Sequence, residues 1–363
     1  MGQVHSRVAT QSLRIPEYFC DRFEIKDADK NYERTFSEIA NSMNLASKYA
    51  LESEDEKFLQ ELNGQLQGQH VESLVPDLEE RFASLHVVGV PRSGTTLLTQ
   101  LIASELNVGY INNLAAAFWL APVYGIRLAK KLLPKNYESN FRSEFGRTDN
   151  ILEPHEFGRF WNHLLGHDDL SEPDPNHEAQ IDWQHVRTVL NNMAEASGGP
   201  MVFKSFLLSW YVPKFVEVMT KSLFIWVCRD PLENALSLLS TRRQYANSED
   251  HWVGLRPQEC KRTDGLSVHL QVASQVYYLE KSIESRLVSV SKDRWLKIRY
   301  EDVCRDPGAE LDRICQAAQR LGSSVKSAEQ QLSAQAMSLP SQRMPREDVR
   351  QIEAAFRTLE SNG

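Results

Sequence analysis

The stretch Leu85-His86-Val87-Val88-Gly89-Val90-Pro91-Arg92-Ser93-Gly94-Thr95-Thr96-Leu97-Leu98 decides how the rest of the chain is read. An apolar run of strand type leads into a tight loop of Gly, Ser and Thr, and the loop opens onto an apolar stretch of helical type. Such a loop turns several backbone N–H groups toward one point, with the positive end of a helix behind them, and so makes a cradle for a phosphate or a similar anion. Gly89 and Gly94 have the spacing of the G-x-x-x-x-G-K-[ST] nucleotide loop, and Thr96 fills its Ser/Thr place, but Thr95 stands where that loop has its lysine. Enzymes of that type need the lysine against the β- and γ-phosphates of ATP or GTP. The substitution therefore turns the reading away from nucleoside triphosphates and leaves Arg92 as the positive charge inside the loop.

The bulk numbers narrow the classes further. With 363 residues, 41% of them hydrophobic, the chain can build a large core without disulfides or a structural metal. A net charge of −8 argues against broad binding to nucleic acid or to an anionic membrane, so an anionic ligand has to be held by local positive groups. Cys20, Cys228, Cys260, Cys304 and Cys315 are scattered and odd in number, which indicates neither a disulfide framework nor a zinc site. No apolar run has transmembrane length, and the first residues are polar. The expectation is a metal-free protein of a reducing compartment, cytoplasmic and not membrane-bound.

Residues 1–84 read as a helical extension, with stripes at Phe36, Ile39, Met43, Leu45 and Tyr49 and at Phe58, Leu59, Leu62 and Leu66. It is expected to lie on the main domain or against a second subunit, as in a homodimer. Residues 85–363 read as one α/β domain. Its expected strands are His86–Val90, Val108–Asn112, Met201–Lys204, Leu223–Cys228 and Trp295–Arg299, with helical stretches between them. Short, continuously apolar strands suit a central parallel sheet flanked by helices on both faces, and ligands of such sheets sit beyond the carboxyl ends of the strands. Gly166–His177 and Ser248–Asp264 read as loops, the second of a kind that often covers a site. A polar stretch from Met337 to Arg343 precedes a last helix from Pro345 to about Leu359.

Phe224-Ile225-Trp226-Val227-Cys228-Arg229-Asp230-Pro231 carries a second anion signature. Arg229 falls at a strand's carboxyl end, Pro231 suits the first position of a helix, and Ser237 follows two turns into it. An arginine fork with a hydroxyl is a grip for a second phosphate. Taken alone, Arg229–Asp230 equally reads as a structural ion pair.

Together these stretches resemble the sulfotransferase family. Gly89-Val90-Pro91-Arg92-Ser93-Gly94-Thr95-Thr96-Leu97 is similar to its 5′-phosphosulfate loop, and Arg229-Asp230-Pro231 with Ser237 to its 3′-phosphate motif. Ile298-Arg299-Tyr300-Glu301-Asp302-Val303, followed by Asp306-Pro307, Leu311 and Ile314, resembles its late strand and the turn after it. The three matches come in the family's order over residues 86–322. The resemblance implies a P-loop-like α/β fold and 3′-phosphoadenosine-5′-phosphosulfate (PAPS) as donor, released as 3′-phosphoadenosine-5′-phosphate (PAP), with no metal. It implies that the N–H groups of Ser93, Gly94, Thr95 and Thr96 surround the 5′-phosphate while Arg92 meets the bridging oxygen and the sulfonate. Arg229 and Ser237 then hold the 3′-phosphate, Tyr300 contacts the adenine, and Arg343 closes over the 3′-phosphate. Lys204, at the end of Met201-Val202-Phe203-Lys204-Ser205, matches the family's Lys-Ser and is assigned to leaving-group charge.

A general base is also needed. The steroid and phenol enzymes of the family carry a histidine just after the lysine-bearing strand, where this chain has Phe206 and Leu207. Glu153-Pro154-His155-Glu156 offers three candidates, Glu153, His155 and Glu156, near a helix start suggested by Pro154. The expected reaction moves a sulfuryl group to a hydroxyl, less readily an amine, of a small metabolite. Phe118, Trp119, Phe157, Phe160, Trp161 and Trp210 read either as a partly apolar acceptor site or as core. The rival readings are a P-loop small-molecule or nucleotide kinase, a nucleotide-binding protein without catalysis, and, within the family, a protein-tyrosine acceptor.

Overall fold

The computed structural model describes residues 53–134, 139–144, 146–245, 249, 252–327 and 345–362. The stripe from Phe36 to Tyr49, Arg343 and the Met337–Arg343 stretch lie outside the described residues. Five strands form one sheet: β1 (Ser84–Gly89), β2 (Gly109–Tyr110), β3 (Met201–Lys204), β4 (Ser222–Cys228) and β5 (Trp295–Arg299). Their order is β2-β3-β1-β4-β5 and every pairing is parallel. β1 is central, with Val87 level with Lys204 on one side and Gly89 level with Val227 on the other.

Alternation along the strands divides the core into two halves. Leu85, Val87, Leu223, Ile225 and Val227 face the helices Thr95–Glu105 and Pro307–Arg320, packing on Leu98, Leu101, Ile102 and Ile314. Val88, Phe203, Phe224 and Trp226 face the opposite layer, built from the helices Trp183–Ser197, Pro231–Tyr245, Val268–Val288 and Arg346–Asn362. A sheet covered on both faces needs strands that are apolar on both faces, which is why the sequence shows continuous runs there.

Several expected boundaries shift: β1 lies earlier than the expected His86–Val90, at Ser84–Gly89, and β4 starts one residue earlier, at Ser222. β2 is only Gly109–Tyr110, because Asn112 leaves the sheet to cap the helix Asn113–Ala116, its side chain accepting Ala115 N–H. The helix Ser53–Ser73 presents half-buried Leu59, Leu62 and Leu66 to the domain, whereas Phe58 is 52% exposed. Asn63, fully buried, fastens that helix by donating to the Ala117 carbonyl and accepting Leu120 N–H. No described helix is long and apolar enough to cross a membrane.

His86 lies in the heart of the core among Phe203, Phe215, Phe224 and Trp161, with one nitrogen 2.9 Å from Ser84 Oγ. Burial pushes its pKa from 6.5 down to about 3. Between those values the unfolded chain binds the proton and the fold does not, so stability falls as pH falls. A His86→Leu variant should lose less unfolding free energy between pH 7 and pH 5 than the wild type, by about 2 kcal/mol for this one group. Urea unfolding at the two pH values checks this; equal losses would show that His86 does not carry the acid sensitivity.

Candidate active site

Because β3, β1 and β4 are neighbours and parallel, the segments that follow them emerge side by side on one edge. Each delivers a cation: Lys204 ends β3, Arg92 lies in the loop after β1, and Arg229 follows β4. The loop after β1 turns through Arg92 at φ 73° and Gly94 at φ 103° into the helix Thr95–Glu105. Gly94 is that helix's N-cap and offers no side chain to the first-turn N–H groups, which leaves them for an anion. Gly94 also has to be glycine, since a Cβ there would lie 2.3 Å from Tyr300 Cδ2.

The two expected anion grips adjoin each other. Arg92 Nε donates to Ser237 Oγ at 3.2 Å, and Arg229 donates to the Arg92 carbonyl at 3.3 Å. The Arg229 guanidinium stacks over the Tyr300 ring at 4.9 Å. Burial first, then the nearby charge of Arg229, pulls the Arg92 guanidinium below its ordinary pKa. Asp230 caps the following helix by accepting Glu233 N–H, and Asn234 donates to the Pro91 carbonyl at 2.8 Å. Asn234 and Ser237, one turn apart, thus brace the loop from the helix Pro231–Tyr245. Asn234 was legible only as a polar residue at i, i+3 spacing from Ser237 on a helix of mixed polarity.

On the other side of the loop, Lys204 is 4% exposed and its three donors are all used. Nζ reaches Thr96 Oγ1 at 2.9 Å, the Gly146 carbonyl at 3.1 Å and Glu156 Oε2 at 2.9 Å. Gly146, which the sequence did not single out, has φ 83°; a Cβ on it would face Lys204 Nζ at 3.4 Å, Thr96 Oγ1 at 3.6 Å and Arg92 Nη1 at 4.0 Å. These three donors therefore converge on one spot that a side chain would fill.

The three candidate bases have different surroundings. Glu153 is fully buried, and its carboxylate accepts Gln100 Nε2 at 2.8 Å, Asn140 N–H at 2.9 Å and Ser139 Oγ at 3.0 Å. His155 Nδ1 accepts Phe157 N–H at 2.8 Å. His155 keeps an exposed face, yet protein atoms crowd its ring, and this crowding, with the charges of Lys204, Arg147 and Arg159 and against that of Glu156, holds its pKa below 6.5. Glu156 alone of the three meets Lys204, and its side chain is 33% exposed. The expected helix start at Pro154 is displaced: the segment is extended there, Asn112 bridging Pro154, and the helix is Gly158–Leu165 with Phe157 before it.

Glu156, Gly158, Trp161, Asn162, Leu170, Phe206 and Leu207 line a small, mostly apolar pocket beside this pair. Of the aromatic residues expected near an acceptor, Phe157, Phe160, Trp161 and Trp210 belong to the core and Phe118 and Trp119 are half-buried. The two expected loops pair with each other, Glu172 N–H donating to the Arg256 carbonyl and Arg256 N–H to that of Leu170. The second loop then passes over the anion loop, where a Cβ on Gly254 would lie 2.4 Å from Pro91 Cγ. Trp252, in that loop, stacks between Arg242 and Arg256, each 4.3 Å from its ring.

The residues fit a doubly anionic ligand. Beyond the cations, the hydroxyls of Ser93, in the loop after β1, and of Ser205, just after β3, are buried without a hydrogen-bond partner. Among the described residues no three His, Cys, Asp or Glu side chains are grouped to hold a metal ion.

The family profile described as "Sulfotransferase family" matches residues 85–320. Solved structures similar to the chain include the sulfotransferase STF9 from Mycobacterium avium, 14% identical over 95% of this chain and 86% of that one, with a TM-score of 0.45. STF1 from Mycobacterium tuberculosis H37Rv is 14% identical over 83% and 81%, with a TM-score of 0.44. A sulfotransferase from Alicyclobacillus acidocaldarius is 13% identical over 75% and 95%, with a TM-score of 0.35. No curated protein sequence matches the chain.

The left-handed backbone at Gly94 sets a test. Gly94→Ala should lower the unfolding free energy by about 1–2 kcal/mol from backbone strain alone, more if Tyr300 is displaced. Gly158→Ala, where a Cβ meets nothing within 4 Å, should not. Urea unfolding of the two variants distinguishes them; equal effects would count against the close Gly94–Tyr300 packing.

Proposed function

Because the chain belongs to the sulfotransferase family, we propose that it transfers the sulfuryl group of PAPS to a hydroxyl of a small metabolite. One observation carries this reading: Arg92 is tied to both Arg229 and Ser237, so the two anion grips form one continuous binding edge. A ligand with phosphate at both ends of a ribose satisfies both grips, and one lacking the 3′-phosphate leaves Arg229 and Ser237 unpaired.

PAPS, when bound, supplies the sulfuryl group and a phosphate leaving group. The chain's own groups then divide the work. The first-turn N–H groups after Gly94, with Ser93, Thr95 and Thr96, hold the 5′-phosphate. Arg92 and Lys204 balance the negative charge that builds on the sulfonate and on the departing oxygen, and losing one such preorganised donor costs about 10²–10³-fold in rate. Arg229 and Ser237 hold the 3′-phosphate, and Tyr300 packs near the adenine. Glu156 accepts the proton of the acceptor hydroxyl. It touches Lys204, borders the pocket of Phe206 and Leu207, and keeps an exposed face, whereas the Glu153 carboxylate is enclosed by donors. The mostly apolar lining beside Glu156 suits a partly apolar acceptor.

Thermal shift tests the reading. PAP should stabilise the protein more than AMP, ADP or ATP–Mg²⁺ at equal concentration, and Arg229→Ala should weaken the PAP effect at least about tenfold in apparent affinity, the scale of one charge-assisted contact. Preference for ATP–Mg²⁺, or no preference, would overturn it. Glu156→Gln should keep the stabilisation by PAP and lose about 10²–10⁴-fold in sulfuryl transfer, the range for a general base. A variant that transfers at the wild-type rate would remove Glu156 from that role.

A further inference from the structure

We propose that His155 is a positioning residue: its unprotonated Nδ1 locks the turn 155–157 that delivers Glu156 to Lys204, and the ring does not take the acceptor's proton. The inference rests on the proposed role of Glu156 and assigns the neighbouring histidine within that site.

The turn is fixed at both ends. On its first side, His155 N–H donates to the Ile111 carbonyl at 2.7 Å, Asn112 bridges Pro154, and Thr148 Oγ1 donates to the Pro154 carbonyl at 3.0 Å. The chain is thereby stitched to the residues that continue β2, next to the carboxyl end of β3. On its second side, Phe157 adopts φ 60° and ψ 35°. For a residue with a Cβ this left-handed conformation costs roughly 1–2 kcal/mol. Two contacts hold it: the Phe157 ring is buried and stacked on Phe160 at 4.5 Å, and its N–H is bound by His155 Nδ1 at 2.8 Å. Glu156, between the two anchors, reaches Lys204 Nζ at 2.9 Å.

The hydrogen bond also fixes the ring's chemistry. A backbone N–H can only donate, so Nδ1 must offer its lone pair. The neutral ring then carries its hydrogen on Nε2 and has no second lone pair with which to accept a proton. Protonating Nδ1 would set two donors against each other. The surroundings oppose the charged form as well: protein atoms crowd the ring although the residue keeps an exposed face, and the charges of Lys204, Arg147 and Arg159 act in the same direction, against that of Glu156. Geometrically this is an Asx-type turn, in which a side-chain acceptor on one residue takes the N–H two residues on. An asparagine can reproduce it; an alanine cannot.

Two measurements decide the matter on the whole protein. In ¹⁵N-imidazole spectra of the free protein, His155 should appear as the Nε2–H tautomer and stay neutral from pH 8 to pH 5. His155→Ala should lower the melting temperature and slow the hydrolysis of PAPS to PAP and sulfate, with water as acceptor, while His155→Asn should recover most of both. An Nδ1–H tautomer, a ring titrating near pH 6.5, or His155→Asn as impaired as His155→Ala would overturn the proposal. If PAP fails to stabilise the wild type, the donor reading falls separately, and the tautomer and the melting order of the two variants still decide whether His155 locks the turn.

Discussion

The parallel pairing of β3, β1 and β4 is the constraint on which the site depends. Neighbouring strands lie about 4.8 Å apart, so whatever follows their carboxyl ends is forced into proximity by backbone hydrogen bonding alone. Lys204, Arg92 and Arg229 are brought together this way in a chain whose formal net charge is −8. The Arg92 and Arg229 charges repel each other, and the pKa of Arg92 is pulled down by burial and then by Arg229. An anion bridging them removes that repulsion and restores the lost solvation. The left-handed backbone at Arg92 and the two orphaned hydroxyls of Ser93 and Ser205 point the same way. Local unfavourable features gathered at one strand edge are the ordinary mark of a site shaped for its ligand.

The acidic segment after Asn150 illustrates how environment divides like residues. Glu153 and Glu156 are three positions apart and chemically alike, yet the extended backbone at Pro154 and the left-handed turn at Phe157 send them to opposite fates. Glu153 is sealed beneath the loop of Ser139 and Asn140, where three donors make it an anchor. Glu156 is turned outward to Lys204 and the pocket. A carboxylate enclosed by donors has its lone pairs filled and no path to a substrate proton; a half-exposed one in contact with a cation keeps both.

Much of the fold was legible in the sequence because a sheet covered on both faces needs continuous apolar strands, and Met201–Lys204 stands as read; the edge strand Trp295–Arg299 also stands as read, although it is only partly buried. The strand–loop–helix passage from Ser84–Gly89 to Thr95–Glu105 was legible because its glycine spacing and its flanking apolar runs are local properties. What escaped depends on direction or on contacts between distant residues. Adjacency in sequence could not say which of Glu153, His155 and Glu156 faces Lys204. Pro154 suggested a helix start, but its backbone joins a bridge to Asn112, and the helix waits for Gly158. Phe58 belonged to an apolar stripe by spacing, whereas the helix Ser53–Ser73 is held through Asn63, a polar residue that hydrophobic periodicity ignores. Gly146 had no signal at all, since its role comes from residues 50 and 58 positions away.

Gly146 explains how such a cation cluster is held without collapsing. Its carbonyl accepts from both Thr96 Oγ1 and Lys204 Nζ, so those donors are aimed at a common point even in the free chain. A neutral carbonyl accepts less strongly than an anionic oxygen, whose hydrogen bonds are roughly twice as strong. Exchanging one for the other therefore favours the anion while asking little movement of the donors. Glu156 completes the same arrangement from the other side, occupying the third donor of Lys204. Arg92 through the Ser237 hydroxyl, and Lys204 in part through Thr96 and Gly146, are thus oriented by neutral partners in the free chain, a condition that lets electrostatic stabilisation act without the cost of rearranging the site.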